Sequence, residues 1–205
     1  MFAIVESGSI TSMPKGNKGV QIGDIKYPAT IYTLWSESER NAIGVYTVEI
    51  DYTNRKDEKW YINTNESYAF GSGKVTGSYG SATAKAHADT KWTQEEIDDG
   101  DAPTGADTDT VKNEGLKTVL IRAVKKHAES ILNETDWYVT RKAEESTAIP
   151  SAITTYRKAV RSKQASMETA ITNASDTPAL ETLYTYTKQE DGSVTRPLGD
   201  WPILE

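Results

Sequence analysis

Residues 112–137 read KNEGLKTVLIRAVKKHAESILNETDW, and this segment organises the C-terminal half of the chain. A set of mostly apolar residues recurs at intervals of three and four positions, which places them on one helix face. They are Leu116, Val119, Leu120, Ala123, Val124, His127, Ala128, Ile131 and Leu132. This spacing predicts an amphipathic helix with a broad buried stripe. A helix of this length extends roughly 28 Å at about 1.5 Å per residue, so another element has to cover the stripe.

A second amphipathic helix is predicted directly after Pro150. Its apolar positions are Ile153, Tyr156, Val160, Met167 and Ile171. Two such helices joined by a short connection usually pack as an antiparallel hairpin. Residues 137–139 alternate with polar groups between the two helices, and we expect Trp137 to close one end of the hairpin.

The composition excludes several classes of protein. The chain has 205 residues, no cysteine, and 11 Tyr and 5 Trp against only 2 Phe. Without cysteine there is no disulfide framework, thiol nucleophile or Cys-based metal site. The chain has no apolar run of about 18 residues, and residues 1–5 lack the basic start of a signal peptide. We therefore expect a soluble protein with no membrane partner, made in the cytoplasm of the cell that expresses it.

The net charge of −7 comes from one acidic segment. Residues 94–111 hold seven acids and no base, and the other 23 of the 30 acids balance the 23 Lys and Arg residues. A basic field for nucleic-acid binding is therefore missing. The composition of residues 98–110 is typical of linkers. The predicted organisation is an N-terminal domain over residues 1–97, an acidic linker over 98–111 and an α-rich domain over 112–205.

The N-terminal part has the pattern of a mostly β domain. Residues 2–12 suggest a hairpin around a Gly-containing turn, and residues 59–79 have the composition of a β-meander broken by glycines. A short helix is predicted at Ser36, where Glu39 completes a capping box and Gly44 stands at the C-cap glycine position. The predicted fold class is α+β, a mostly β domain followed by a helical-hairpin domain.

Two further signals occur near the end of the chain. Thr177 followed by Pro178 indicates an N-cap with proline at the first helical position. Asp191-Gly192 predicts a tight turn between two short strands.

The candidate residues for catalysis, metal binding and cofactor binding do not have the spacing that the corresponding motifs require. His87 and His127 are the only histidines, and without clustered ligands neither predicts a zinc site. Residues 71–75, GSGKV, lack the upstream glycine and the following Ser or Thr of a phosphate loop, so a hairpin turn is predicted. The acids of residues 98–109 do not fit a calcium loop. We predict no catalytic residue, no metal and no cofactor.

Trp137 and Trp201 admit two interpretations. Both residues could be core anchors of a small helical domain, and both could belong to a docking surface, where Trp and Arg dominate binding energetics. A single residue can serve both purposes.

The order of motifs in the C-terminal half resembles the bacteriophage tail assembly chaperones and tail-fibre accessory proteins. The shared features are a helix leading into residues 135–137, a proline before a second helix with Tyr156-Arg157 and Arg161, and a terminal Trp201-Pro202. Residues 34–46 also look like the N-terminal part of longer tail-fibre-associated proteins. An insert over residues 174–195 departs from the family pattern.

The resemblance implies a non-enzymatic tail protein that binds a tail fibre or another tail protein within an oligomeric assembly. It would reside in the virion tail or in the host cytoplasm during assembly, and the insert leaves open whether it is a transient chaperone or a virion part. The candidate partner-binding residues are Trp137, Tyr138, Tyr156, Arg157, Arg161, Trp201 and Pro202. We expect the basic edge at Arg157 and Arg161 to steer the partner, so that its loss weakens binding with little loss of stability.

The alternative function is a glycan-acting enzyme of the phage tail. It needs two carboxylates roughly 5 to 10 Å apart, and Asp51, Asp57 and Glu66 are the acids considered in the β domain. A role in solvated loops is the competing interpretation for all three.

Overall fold

The computed structural model describes residues 1–64 and 66–204. Two compact units are present, Met1–Thr83 and the residues from Ala84 onward. The first is mostly strand and the second is helical over residues 116–184, so the predicted α+β class is confirmed.

The first unit contains most of the strands. They are β1 (Phe2–Glu6), β2 (Ser9–Ser12), β3 (Val20–Ile22), β4 (Ile25–Tyr27), β5 (Val45–Asp51), β6 (Tyr61–Ile62), β7 (Ser67–Gly71), β8 (Lys74–Ser78) and β9 (Thr83–Ala84). Its helices are α1 (Ile31–Leu34) and α2 (Glu37–Ala42).

Five of these strands form one sheet in the order β2-β1-β5-β8-β7. The β5–β8 pair is parallel and the other pairs are antiparallel. Its edge strands β2 and β7 approach each other, so the sheet nearly closes. Side chains alternate between the faces of a strand. In β1, Ala3 and Val5 join one buried cluster while Ile4 joins another with Ile31 of α1, so the sheet is buried on both faces there.

Local sequence signals in the first unit are confirmed. Ser36 accepts a hydrogen bond from the Glu39 amide, and the Glu39 carboxylate accepts one from the Ser36 amide, which completes the capping box. Gly44 follows the C-cap with φ +83°. Ser72 and Gly73 have φ of 52° and 76° and form the tight β7–β8 turn, as expected for a hairpin and not for a phosphate loop.

The second unit contains most of the helices. Its elements are β10 (Thr90–Lys91), α3 (Gln94–Asp98), β11 (Val111–Asn113), α4 (Leu116–Asn133), α5 (Asp136–Glu145), α6 (Ser151–Asn173), α7 (Thr177–Tyr184), β12 (Thr187–Lys188) and β13 (Val194–Thr195).

The unit boundary differs from the position predicted from the sequence. Residues 84–97 belong with the helices, and the acidic residues 98–111 lie inside the second unit, where they connect α3 to β11. Lys91 of β10 pairs with Asp109 and Lys112 of β11 pairs with Glu96 of α3. Two acids of this region, Asp109 and Glu96, are thus paired with lysines on the neighbouring strands.

Helices α4 and α6 pack as the antiparallel hairpin that the sequence predicts. Near one end the Lys117 ammonium donates to the Thr172 carbonyl, and near the other Arg157 reaches the Leu132 carbonyl. The residues buried in the two helices include Leu120, Val124, Ala128, Ile153, Val160, Met167 and Ile171. Val119 and Ala123 on the shoulder of the α4 stripe are exposed.

Two details of this unit correct the sequence analysis. The segment between α4 and α6 is a third helix, α5, where a short alternating connection was expected. The N-cap of α7 is Asp176, whose carboxylate accepts from the Ala179 amide; the predicted cap, Thr177, is buried and donates instead to the Lys85 carbonyl. The predicted turn at Asp191-Gly192 is confirmed by the β12–β13 hairpin.

Candidate protein-binding surface on helix α5

Helix α5 presents an aromatic and cationic cluster to solvent. The rings of Trp137 and Tyr138 have centroids 3.8 Å apart at 32°. The Arg141 guanidinium lies over both rings, 4.7 Å from the Trp137 centroid and 5.5 Å from that of Tyr138. Trp137 is 51% exposed. We call Trp137, Tyr138 and Arg141 the α5 cluster.

The cluster follows from helical spacing. Residues three and four positions apart are neighbours on a helix surface, and Arg141 stands four residues after Trp137 and three after Tyr138. A cation over the face of Trp or Tyr is attracted by the ring quadrupole. Arg141 was not among the residues predicted from the sequence, and this spacing was the available signal.

No residue of α5, a helix described along its whole length, is buried. The exposure of Trp137 therefore corrects the expectation that it closes the end of the hairpin as a core anchor. The helix ends at Ser146, which adopts a left-handed conformation with φ 58°. Tyr138 and Arg141 are partly buried, while Trp137, with half of its surface exposed, is available for contacts outside the chain.

Arg157 has an internal position, although the sequence placed it on an exposed basic edge. Its side chain is 9% exposed. One guanidinium nitrogen donates to the Leu132 carbonyl at 2.8 Å and to Thr135 Oγ1 at 2.6 Å, and another donates to Asp136 Oδ1 at 2.7 Å. These groups lie at the end of α4 and the start of α5, so Arg157 joins three helices and does not face a partner.

Tyr156 and Pro202 come together in a shallow groove of about 390 Å³. The groove lies between the first turns of α6 and the C-terminal segment, and its apolar lining includes Ala152, Ala159 and Ile203. Arg161 lines a different depression, beside Glu168. A separation of five residues places Arg161 about 140° around the helix from Tyr156, so these two predicted residues do not share a surface.

Trp201 is half-buried and stacks on His127 of α4, with ring centroids 5.1 Å apart at 28°. This contact attaches the C-terminal segment to the helical hairpin. His127 thus has a packing contact within the helical unit. The structure thus divides the seven predicted residues: Trp137 and Tyr138 form one surface, Tyr156 and Pro202 another, and the remaining three lie elsewhere.

The acids considered for glycan chemistry are engaged in local contacts. Asp51 accepts from the Thr53 amide and hydroxyl, which lower the pKa of its carboxyl. Asp57 accepts from the Lys59 amide at 2.8 Å. A hydrogen bond to Glu66 raises the pKa of the Tyr68 hydroxyl to about 12. These contacts are those of turns and surface pairs, and the lowered pKa of the Asp51 carboxyl is the opposite of the raised carboxyl pKa that a general acid needs.

Among residues 1–64 and 66–204, no three His, Cys, Asp or Glu residues are grouped so that they could hold a metal ion. None of the described helices has the length and apolarity needed to cross a membrane.

No known protein family, curated protein or solved structure matches this chain.

Proposed function

We propose that this chain is a non-enzymatic interaction protein of a bacteriophage tail, which binds a tail fibre or another tail protein through the α5 cluster. The observation that carries the proposal is the exposed Trp137, stacked with Tyr138 and Arg141 on a helix that buries none of its own residues. Trp, Tyr and Arg are the residues most enriched at the energetic centres of protein interfaces. The kind of partner comes from the sequence resemblance of residues 115–205 to tail assembly and tail-fibre accessory proteins.

The preformed geometry of the cluster supports binding. Stacked rings with a guanidinium on their faces have already lost much of their rotational freedom, so little more is lost when a partner docks. The cluster combines the apolar surface of two tilted rings with a cation over their faces. It suits an apolar patch on a partner with a carboxylate close by, since Arg–carboxylate contacts add specificity.

Co-purification with the tail fibre of the same phage tests the proposal. The chain and the fibre protein are co-expressed, and the chain is captured by an affinity tag. We expect fibre protein to be retained by the original chain and by Val139→Ala, but not by Trp137→Ala. Val139 is the matched control, because it is 43% exposed on the same helix and lies about 200° around it from Trp137. Equal retention by both variants would exclude the α5 cluster as the binding surface.

Mass spectrometry of purified virions separates the two forms of the proposal. A fixed copy number would identify a permanent part of the tail, retained after assembly. Presence in infected-cell lysate together with absence from virions would identify a transient assembly chaperone.

A further inference from the structure

The junction between α4 and α5 is held by one buried guanidinium. Arg157, on α6, donates to the Leu132 carbonyl, to Thr135 Oγ1 and to Asp136 Oδ1 within 2.8 Å. Leu132 lies in the last turn of α4, Thr135 is the N-cap residue of α5, and Asp136 is the first residue of α5. The three acceptors therefore come from both sides of the bend.

The acceptors are groups that a helix end leaves without partners. The last four carbonyls of a helix lack intrahelical donors, and the Leu132 carbonyl is one of them. It also accepts from the Thr135 amide and hydroxyl. Thr135 is 4% exposed and makes no side-chain cap for α5. Its hydroxyl thus serves the junction, since it donates to Leu132 and accepts from Arg157.

The orientation of α5 has few other determinants. No residue of the helix is fully buried, although Tyr138 and Arg141 are partly buried, so packing along its length fixes only weakly the direction in which it leaves α4. The hydrogen bond from Arg157 holds Asp136, the residue immediately before Trp137. A rigid contact at this point fixes the start of the helix, and the α5 cluster lies within the following turn and a half.

We propose that Arg157 is a positioning residue for the partner-binding surface: it locks the first turn of α5 onto α4 and so determines where Trp137, Tyr138 and Arg141 face. The proposal rests on the proposed function only in treating that surface as the one a partner contacts. Arginine suits this role because its planar guanidinium presents donors in a fixed fork, whereas a lysine ammonium is a point charge on a flexible stem. A lysine at position 157 would keep the charge and lose the simultaneous contacts to both helices.

Fluorine NMR of the 5-fluorotryptophan-labelled chain tests the geometry without a partner. The chain has 5 Trp residues, so five resonances are expected, each assigned from a Trp→Phe variant. Spectra of Arg157→Lys and Asp136→Asn are recorded at a temperature where circular dichroism shows both variants to be folded. We expect the Trp137 resonance to shift or broaden in both variants. The resonance of Trp60, which is 3% exposed in the first unit, should stay unchanged.

Arg161→Lys is the matched control, because Arg161 lies one turn further along α6, is exposed, and lines a depression formed by residues of α6. It should leave all five resonances in place. Hydrogen exchange gives a second measure, and we expect the amides of residues 138–145 to exchange at least tenfold faster in Arg157→Lys than in the original chain. Asp136→Asn keeps the experiment decisive if Arg157→Lys does not fold, since Arg157 then retains its contacts to Leu132 and Thr135.

The two proposals fail in different ways. An unchanged Trp137 resonance and unchanged α5 exchange in both variants would overturn the positioning role, whatever the partner does. A shifted Trp137 resonance with fibre binding unchanged would support the positioning of α5 and overturn the α5 cluster as the binding surface. A shifted resonance with binding weakened at least tenfold in the folded variants supports both.

Discussion

Gly115→Ala should destabilise the helical unit strongly, although Gly115 has an ordinary φ of −83° that alanine adopts without strain. A Cβ at this position would lie 2.2 Å from the carbonyl carbon of Ala88 and 2.4 Å from its oxygen. Ordinary contact begins near 3.4 Å, so the backbone of Ala88 would have to retreat by about 1.2 Å, the difference between 3.4 and 2.2 Å. Backbone atoms cannot rotate away as a side chain can.

That displacement also disturbs the hydrogen bonds between residues 86–89 and the start of α4. The Gly115 amide donates to Asp89 Oδ1 at 2.7 Å, the Leu116 amide to the Ala86 carbonyl at 2.9 Å, and the Lys117 amide to the His87 carbonyl at 3.0 Å. Overpacking costs about 1–3 kcal/mol, and each lost hydrogen bond about 1 kcal/mol. Alanine leaves the unfolded chain fewer conformations than glycine does, and this offsets about 0.4–1 kcal/mol of the lost stability. With one or two of these three hydrogen bonds lost, we expect a net loss of roughly 2–4 kcal/mol.

Urea unfolding followed at 222 nm measures this loss, since the helices dominate that signal. Gly115→Ser provides the sharper comparison, because serine is a favoured N-cap residue but carries the same Cβ. Both variants should lose stability. The control Gly71→Ala adds a Cβ that meets nothing within 4 Å and should change stability by less than about 1 kcal/mol. A serine variant as stable as the original chain would refute the packing of residues 86–89 on α4.

Three further outcomes are expected. Arg157→Met loses charged hydrogen bonds, which should lower the free energy of unfolding by about 2–4 kcal/mol and the melting temperature by roughly 8–15 °C. Arg161→Met should change the melting temperature by less than about 2 °C. The pKa of Glu96 is lowered from 4.5 to about 2, chiefly by its hydrogen bond with Lys112. The resulting stabilisation is present above pH 4.5 and is lost as the pH falls towards 2. Glu96→Gln should therefore flatten the dependence of the unfolding free energy on pH across that window, as measured in acid titrations. Asp176→Ala removes the cap of α7 and should cost about 1 kcal/mol in the same unfolding assay.

Periodicity and local chemistry were sufficient for the elements whose causes are local. The apolar spacing of α4 and α6 predicted their pairing, because a stripe that wide has to be covered. The capping box at Ser36 and the turn at Gly73 were also predicted, since each depends on residues within a few positions. In these places the local preference and the tertiary structure agree.

The candidate surface depended on contacts that periodicity does not report. The spacing of Arg157 is compatible with either an exposed edge or a buried contact, and it does not report that the guanidinium meets the Leu132 carbonyl, Thr135 and Asp136. Trp137 was expected to be buried because Trp usually anchors a core, yet α5 has no partner element to cover it. The unit boundary differs for a similar reason: residues 86–89 accept hydrogen bonds from the amides that begin α4, a contact between distant residues that the local sequence does not report.

The most direct test of the proposed function is the affinity of the purified chain for the tail fibre, measured by titration calorimetry for the original chain, Trp137→Ala and Val139→Ala. Because Trp137 is half exposed, Trp137→Ala should change the free energy of unfolding by less than about 1 kcal/mol. Loss of an interface anchor costs about 2 kcal/mol or more, so Trp137→Ala should bind roughly 30-fold more weakly while Val139→Ala binds within threefold of the original chain. Undiminished affinity of folded Trp137→Ala would contradict the assignment of the α5 cluster as the partner-binding surface.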